Sequence, residues 1–292
     1  MHRSIQTMLR IPLLTALVIA GIASAVATET PILRLAFVPQ ENPDKLIGDV
    51  ATISTHLSER LGTRVEGYVT LDHAAAVEAL RNGDADISFM GALPFVLAEA
   101  QMGAEALLSE VYRGSPTYRG RVFVRRDSGI KSLQDLRNRD IAFADPISES
   151  GYLYPLDLFV QAGLVASPAS ADDFFSRVFF AGGYQQAMQA VATGLVDAAC
   201  ASEYAEQLLT PEQQSQLIWI EETQPIPAHV VIARSDLDPG IKKRFSDLLL
   251  SLNDAGNHHL LAYLYGPDGY VTTDASNYEG VRQIARRYGL LK

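Results

Sequence analysis

The stretch Asp140–Pro155, Asp-Ile-Ala-Phe-Ala-Asp-Pro-Ile-Ser-Glu-Ser-Gly-Tyr-Leu-Tyr-Pro, constrains the fold of this chain most tightly. Ile141 to Ala144 reads as a buried strand, and Asp145-Pro146 ends it, because proline offers no ladder donor and biases its predecessor away from helix. Ser148, Glu149, Ser150 and Gly151 then lead into Tyr152, Leu153, Leu156, Phe159 and Val160, a spacing that suits a helix with one apolar face. A helix opening at the end of a buried strand presents unpaired N–H groups and the positive end of its dipole, and the two serines add hydroxyl donors. Such a turn can seat a small anion, and it can equally be an ordinary N-cap.

From Pro31 onward strands and helices alternate. Leu33 to Val38 reads as a strand, Leu46 to Leu61 as a helix closed by Gly62, and Val65 to Val69 as the next strand. Asp72 caps a helix that stops at Gly83, Ala85 to Met90 is a strand, and Pro94 starts the following helix. This order predicts a mainly parallel sheet covered on both faces. Two segments, Ala79-Leu-Arg-Asn-Gly-Asp-Ala-Asp86 and Ala190-Val-Ala-Thr-Gly-Leu-Val-Asp197, share Ala-apolar-x-x-Gly-x-x-Asp at a helix end running into an apolar strand. They suggest two similar lobes, although any helix-glycine-strand junction resembles this pattern.

Between these copies, Val111 to Tyr118 and Arg121 to Arg126 read as strands, and Ser132 with Asp135 as the cap of a short helix. If the chain crosses over near Arg126 and returns near Pro227, residues 28–126 and 225–292 form one lobe and residues 127–224 the other. Ligands of open α/β sheets lie at the carboxyl ends of strands, and the loops at Gly91, Ser148, Gly182, Ala201 and His229 lie at or near such ends.

Residues 1–27 are of another kind. Arg3 and Arg10 form a basic n-region, Ile11 to Ala23 an apolar h-region, and Ala25-Val-Ala27 a small-x-small cleavage site, which together predict a secretory signal cut after Ala27. The only cysteine, Cys200, lies far from that point, so neither a lipid anchor there nor an intrachain disulfide is expected. Removing the signal takes the formal charge from −10 to −12, with 22 of the 24 basic residues left against 34 acidic ones. So acidic a surface argues against nucleic acid and anionic lipid as partners.

Longer matches point to a family. Gly91-Ala-Leu-Pro-Phe-Val-Leu-Ala98, Tyr118 before Val122-Phe-Val-Arg-Arg-Asp-Ser-Gly-Ile130, Ser132-Leu-Gln-Asp-Leu136, Ala142–Pro155, Ala181-Gly-Gly-Tyr184, Val196-Asp197 and Pro225-Ile-Pro227 occur in one order over nearly all of the mature chain. In this the chain resembles the phosphate/phosphite/phosphonate substrate-binding proteins of ABC importers. The resemblance implies a type II periplasmic binding fold, with two α/β lobes, a hinge and an interlobe ligand cleft. It also implies that Ser148, Ser150 and Gly151 hold the oxygens of a small oxyanion while Tyr118 and residues of the other lobe close over it.

Several positions depart from the family pattern. Glu149 stands where the family usually has threonine, His73 where it has an aromatic residue, Tyr184 where it has histidine, and His229 where it frequently has an acid. A carboxylate about 4 Å from a bound anion opposes it by roughly 4 kcal/mol at a surface-like dielectric. Glu149 therefore either points away, as an acid favourably placed near its own helix start, or changes what binds. Tyr204, at another loop-to-helix start, is a candidate pocket wall, with helix packing as the plainer role.

The expectation is a monomeric, non-catalytic periplasmic binding protein without cofactor or metal. It would pass its oxyanion to an inner-membrane ABC permease. A ligand-sensing subunit facing a histidine kinase, or an enzyme using Ser148 or Glu149 as nucleophile or base, are the alternatives. No nucleophile elbow, phosphate loop or zinc spacing is present in the sequence, and adjacent His258 and His259 would face different ways on a helix.

Overall fold

The computed structural model describes residues 32–39 and 43–291, so the expected signal over residues 1–27 lies outside the described residues. The first half runs β1 (Ile32–Phe37), α1 (Pro43–Leu61), β2 (Arg64–Val69), α2 (His73–Asn82), β3 (Ile87–Met90), α3 (Ala92–Met102), β4 (Glu105–Val111), β5 (Thr117–Tyr118) and β6 (Gly120–Arg125). There follow β7 (Asp140–Phe143), a π-helical turn (Glu149–Leu153), α4 (Tyr154–Gln161), β8 (Arg177–Phe180), α5 (Tyr184–Ala192), β9 (Ala198–Ser202), α6 (Pro211–Gln216) and β10 (Leu217–Glu222). The last part holds β11 (Ile226–Pro227), β12 (Val230–Ala233), α7 (Pro239–Leu250), β13 (Gly269–Thr272) and α8 (Glu279–Arg287).

Two large sheets result, in the orders β13-β4-β12-β3-β1-β2 and β10-β6-β9-β7-β8. In the first, β1 lies parallel to β2 and β3 while β12 runs antiparallel to β3 and β4. In the second, β7 lies parallel to β8 and β9 while β6 runs antiparallel to β9 and β10. Each sheet thus joins a parallel trio to antiparallel strands, a more mixed pairing than the mainly parallel sheet expected. The antiparallel strand next to each trio comes from a segment that crosses between the sheets. Where it crosses, β5 and β11 pair as a separate ribbon through Tyr118–Ile226 and Thr117–Pro227. Gly120–Arg125 is therefore bonded into the second sheet and does not belong with residues 28–126, because β6 turns into that sheet immediately after Arg119.

The repeat pattern marks equivalent places in the two sheets. Helices α2 and α5 both stop at a left-handed glycine, Gly83 at φ +76° and Gly194 at φ +74°. Asp84 and Ala85 then bond back to Ala79, just as Leu195 and Val196 bond back to Ala190. The closing aspartates serve the same end: Asp86 accepts from the Arg34 amide of β1 at 2.8 Å, and Asp197 accepts from the Asp140 amide of β7 at 2.9 Å. Each carboxylate ties the start of a third strand to the start of the first.

Both sheets are covered on both faces. In the first, Leu35, Phe37 and Phe89 pack with α1 and α7, while Ala36, Met90 and Ile232 pack with α2, α3 and α8. In the second, Ile141 and Phe143 pack with α4 and the Phe174–Phe175 pair, while Phe123, Ala142 and Ala199 pack with α5. Cys200 is fully buried, and burial pushes its thiol up, as suits a small core residue.

The expected strand Val111–Tyr118 is replaced by β4, which begins earlier, and by a tight turn in which Tyr112 and Ser115 exchange main-chain hydrogen bonds. Arg113 at φ +50° and Gly114 at φ +76° bend the chain there. Replacing Asp86 or Asp197 by alanine should cost about 1–3 kcal/mol each, since each strips a charged acceptor from a strand amide. Urea denaturation measures this, and Asp86→Ala should cost more, because Asp86 is buried and also holds Arg234 at 2.9 Å.

Candidate functional site

The turn after β7 is built tightly. The Ser148 hydroxyl accepts from the Gly151 amide at 3.0 Å, and Leu153 donates to the Ser148 carbonyl at 3.0 Å, giving the wide ring of a π-turn. A Cβ on Gly151 would collide with the Ala144 methyl and the Ser148 hydroxyl, so only glycine fits. Tyr184, the first residue of α5, brings its hydroxyl to 2.8 Å from Ser150 Oγ and 3.5 Å from Ser148 Oγ. Both serines are buried and face this phenol. Their hydroxyls support the turn as well as lining it.

Glu149 turns inward, which overturns the simpler expectation of an acid directed away. Its side chain is 1% exposed, and its carboxylate reaches from the second lobe to the start of α3 in the first. It accepts from the Ala92 amide at 2.9 Å, the Leu93 amide at 3.5 Å and the Tyr118 hydroxyl at 3.0 Å. Gly91, the N-cap of α3, offers no side-chain cap of its own, and a Cβ there would overlap both carboxylate oxygens. The favourable helix start is thus not that of the turn carrying Glu149 but one across the cleft. Unpaired N–H groups and the helix dipole stabilise the buried charge with uncharged donors alone.

That charge is felt by its neighbours. Burial, then the Glu149 charge, holds the Tyr118 phenol well above the usual range and pushes Tyr184 up to about 12. Both remain hydrogen-bond donors at any physiological pH. His73, at the start of α2, is buried, and desolvation lowers its pKa despite the opposing pull of Asp145 and Glu149, so its ring is neutral.

A second buried carboxylate, Glu110 at the end of β4, accepts from Tyr112 at 2.9 Å and lies 3.5 Å from His229 Nδ1. Burial alone would pull His229 down, but its hydrogen bond to Glu110 and that charge outweigh it and raise its pKa. Glu110 and His229 thus form a buried carboxylate–imidazole pair.

Beside these groups lies a cavity of about 180 Å³ lined by, among others, Tyr112, Tyr118, Tyr184, Tyr204, His229 and Asp268. Tyr204 stacks with Tyr112 at 4.7 Å and with Tyr118 at 6.3 Å, and carries the Arg113 guanidinium 5.2 Å over its ring. Tyr204 is a cavity wall as well as a packing residue. The expected residues thus gather around one junction: Tyr118, Tyr184, Tyr204 and His229 line the cavity, and His73, Ser148, Glu149, Ser150 and Gly151 lie in the layer behind it. Sequence reading missed Glu110, Tyr112, Asp268 and the amides of Ala92 and Leu93. Only the glycine before α3, at a strand end, signalled any of them. Among the described residues no cluster of histidine, cysteine, aspartate and glutamate could hold a metal ion.

A family model described as ABC transporter, phosphonate, periplasmic substrate-binding protein matches residues 35–278. This chain belongs to that family. The phosphate-import protein PhnD of Mycolicibacterium smegmatis is 31% identical over 171 residues, 57% of this chain and 53% of that protein, so the match spans about half of the relative. The probable ABC transporter phosphite binding protein PhnD1 of Prochlorococcus marinus is 22% identical over 293 residues, 95% of this chain and 97% of that one. The structure of PhnD1 in complex with methylphosphonate aligns with a TM-score of 0.78 at 20% identity, over 88% of this chain and 98% of the other. A binding-protein component of an ABC phosphonate transporter from Pseudomonas aeruginosa gives a TM-score of 0.80 at 23% identity, over 89% and 87%. The fold is the type II periplasmic one, two α/β lobes joined by a hinge with a cleft between them.

The raised pKa of His229 fixes the sign of a pH effect. Its protonated ring contributes stability that is complete below 6.5, the ordinary value, and is lost as pH rises through the folded value. His229→Gln should therefore be less stable than the parent at acid pH, and the difference should shrink as pH rises. Urea midpoints for both proteins across that range measure it.

Proposed function

We propose that this chain is a periplasmic solute-binding protein that captures a small oxyanion of the phosphonate, phosphite or phosphate class between its lobes for delivery to an ABC importer. The observation that carries this reading is the seat at the start of α3. Two main-chain amides and the Tyr118 hydroxyl converge on a pair of carboxylate oxygens, an arrangement that suits the oxygens of a phosphonate equally well. The Ser148–Gly151 turn faces that seat from the other lobe. The ligand's substituent would extend into the tyrosine-lined cavity, where the aromatic walls provide apolar contact and the phenols provide donors.

On this reading the protein binds without chemical change, the Ser148 hydroxyl being engaged by the Gly151 amide and the Tyr184 phenol. Residues 1–27 would direct export and be removed after Ala27, and among the described residues no helix is long and apolar enough to cross a membrane. Residues 120–224 would move as one lobe against the remainder, about the β5–β11 ribbon, as a monomer facing an inner-membrane permease.

Calorimetry with phosphite, methylphosphonate, 2-aminoethylphosphonate, phosphate and sulfate tests the substrate class. Saturable heat is expected from at least one phosphorus oxyanion, with the ligand recovered unchanged after long incubation, and its absence from all of them would remove the claim. In a Glu149→Thr background, where no carboxylate of the chain takes the Tyr118 hydroxyl, Tyr118→Phe should weaken that binding by about ten- to a hundredfold, because the lost bond goes to a charged group.

A further inference from the structure

We propose that Glu149 is a built-in stand-in for the ligand's anionic group: its carboxylate fills the oxyanion seat at the start of α3, latches the lobes together in the free protein, and must be displaced before an anion can bind. The inference rests on the proposed oxyanion reading and adds to it the residue that sets how strongly, and against what competitor, the site binds.

The geometry is that of a bound ligand. Glu149 is carried by the turn after β7 in the second lobe, yet the groups that satisfy it are the Ala92 and Leu93 amides of the first lobe and the hydroxyl of Tyr118 on the crossing ribbon. Gly91 leaves the space the carboxylate fills. Its backbone, at φ −70° and ψ 170°, would suit any residue, so the glycine is required for room and not for conformation. Other contacts close with it: Leu153 and Tyr154 pack into the core of the first lobe beside α3, and Asp157 of α4 takes Arg287 at 3.2 Å together with the Tyr288 hydroxyl.

Addition of an anion beside Glu149 is disfavoured on electrostatic grounds. Among the described residues the donors bonded at the seat are two uncharged amides and the Tyr118 phenol, desolvation favours the neutral ring of His73, and His229 is engaged by Glu110, so no cation bonded there offsets a second negative charge. Exchange is the remaining route. An anion that enters takes over the amides and the phenol, and the glutamate must swing out to solvent. A protein whose competent state is a minor fraction binds with an affinity reduced by that fraction.

The test combines small-angle X-ray scattering of the ligand-free protein with calorimetry using methylphosphonate, on the parent, Glu149→Thr, Glu149→Gln and Gly91→Ala, with each fold checked by circular dichroism. The parent should be compact without ligand and change little on adding it. Glu149→Thr should be expanded when free, contract with methylphosphonate, and bind it at least about tenfold more tightly. Glu149→Gln, which keeps the shape and loses the charge, serves if the threonine variant fails to fold and should shift in the same direction. Gly91→Ala, whose methyl closes the seat to glutamate and ligand alike, should also expand but gain no affinity.

A free Glu149→Thr protein as compact as the parent, or an expanded one that binds methylphosphonate no more tightly than a parent that does bind it, would overturn the latch. An expanded Glu149→Thr protein that takes none of the phosphorus oxyanions, like its parent, would support the latch and overturn the oxyanion reading instead.

Discussion

Each lobe of this protein is completed by a strand that reaches it through the crossing between lobes, and the rest of the architecture follows from that. β6 enters the second sheet between β9 and β10 directly after β5, and β12 enters the first between β3 and β4 directly after β11. Because β5 and β11 pair with each other, the two crossings are held side by side as one ribbon. The ends of β3, β4 and β7 and the start of β12 therefore converge on one junction, which explains how residues as distant in sequence as Ala92, Glu110, Glu149 and His229 come within a few side chains of one another. Tyr118 lies on the ribbon itself. Its hydroxyl contacts the group in the seat, and its ring contacts both His229 and Tyr204, so it senses both lobes at once.

The junction solves two buried-charge problems in different ways. Glu110 is met by a histidine whose pKa its presence raises, so the imidazole leans toward the cationic form that offsets the carboxylate. Glu149 is met by main-chain amides and a phenol, donors that lower its energy without cancelling its charge. The uncancelled charge then acts on everything nearby, raising the phenols of Tyr118 and Tyr184. A site designed only to be filled by a carboxylate of its own chain could have used an arginine. Uncharged donors hold the internal group less tightly, and that keeps it exchangeable.

Much of the fold was legible in the sequence, and where it was not, the reason is non-local. The two helix-glycine-strand junctions were readable because a left-handed glycine and a strand-capping aspartate are local devices, and Asp86 and Asp197 prove to do the same work in each sheet. β4 was missed because Ser109 and Glu110 are polar yet buried, and the strands it pairs with, β12 and β13, lie far along the chain. β13, with Val271 and Thr272 exposed, leaves too short an apolar trace to stand out. The site candidates were legible as a set. The direction of Glu149 was not, because an acid directly after an N-cap serine satisfies the same local pattern whether it serves its own helix start or another one.

An internal occupant changes what closure means in a two-lobed binding protein. Closure is ordinarily a report that the cleft is filled, since the empty protein lacks the contacts that bridge it. Here the bridging contacts are supplied by the chain: one carboxylate at α3, one aspartate receiving the C-terminal Arg287 and Tyr288, and two apolar side chains in the core of the other lobe. A membrane partner that recognised only the spacing of the lobes would not distinguish this state from a loaded one. The difference must then lie where ligand and glutamate cannot look alike, in the tyrosine-lined cavity beyond Tyr118. A ligand's substituent would extend into that space, which the glutamate does not line, so the wall that includes Arg113 and Tyr204 is where a loaded protein would differ in shape from a latched one.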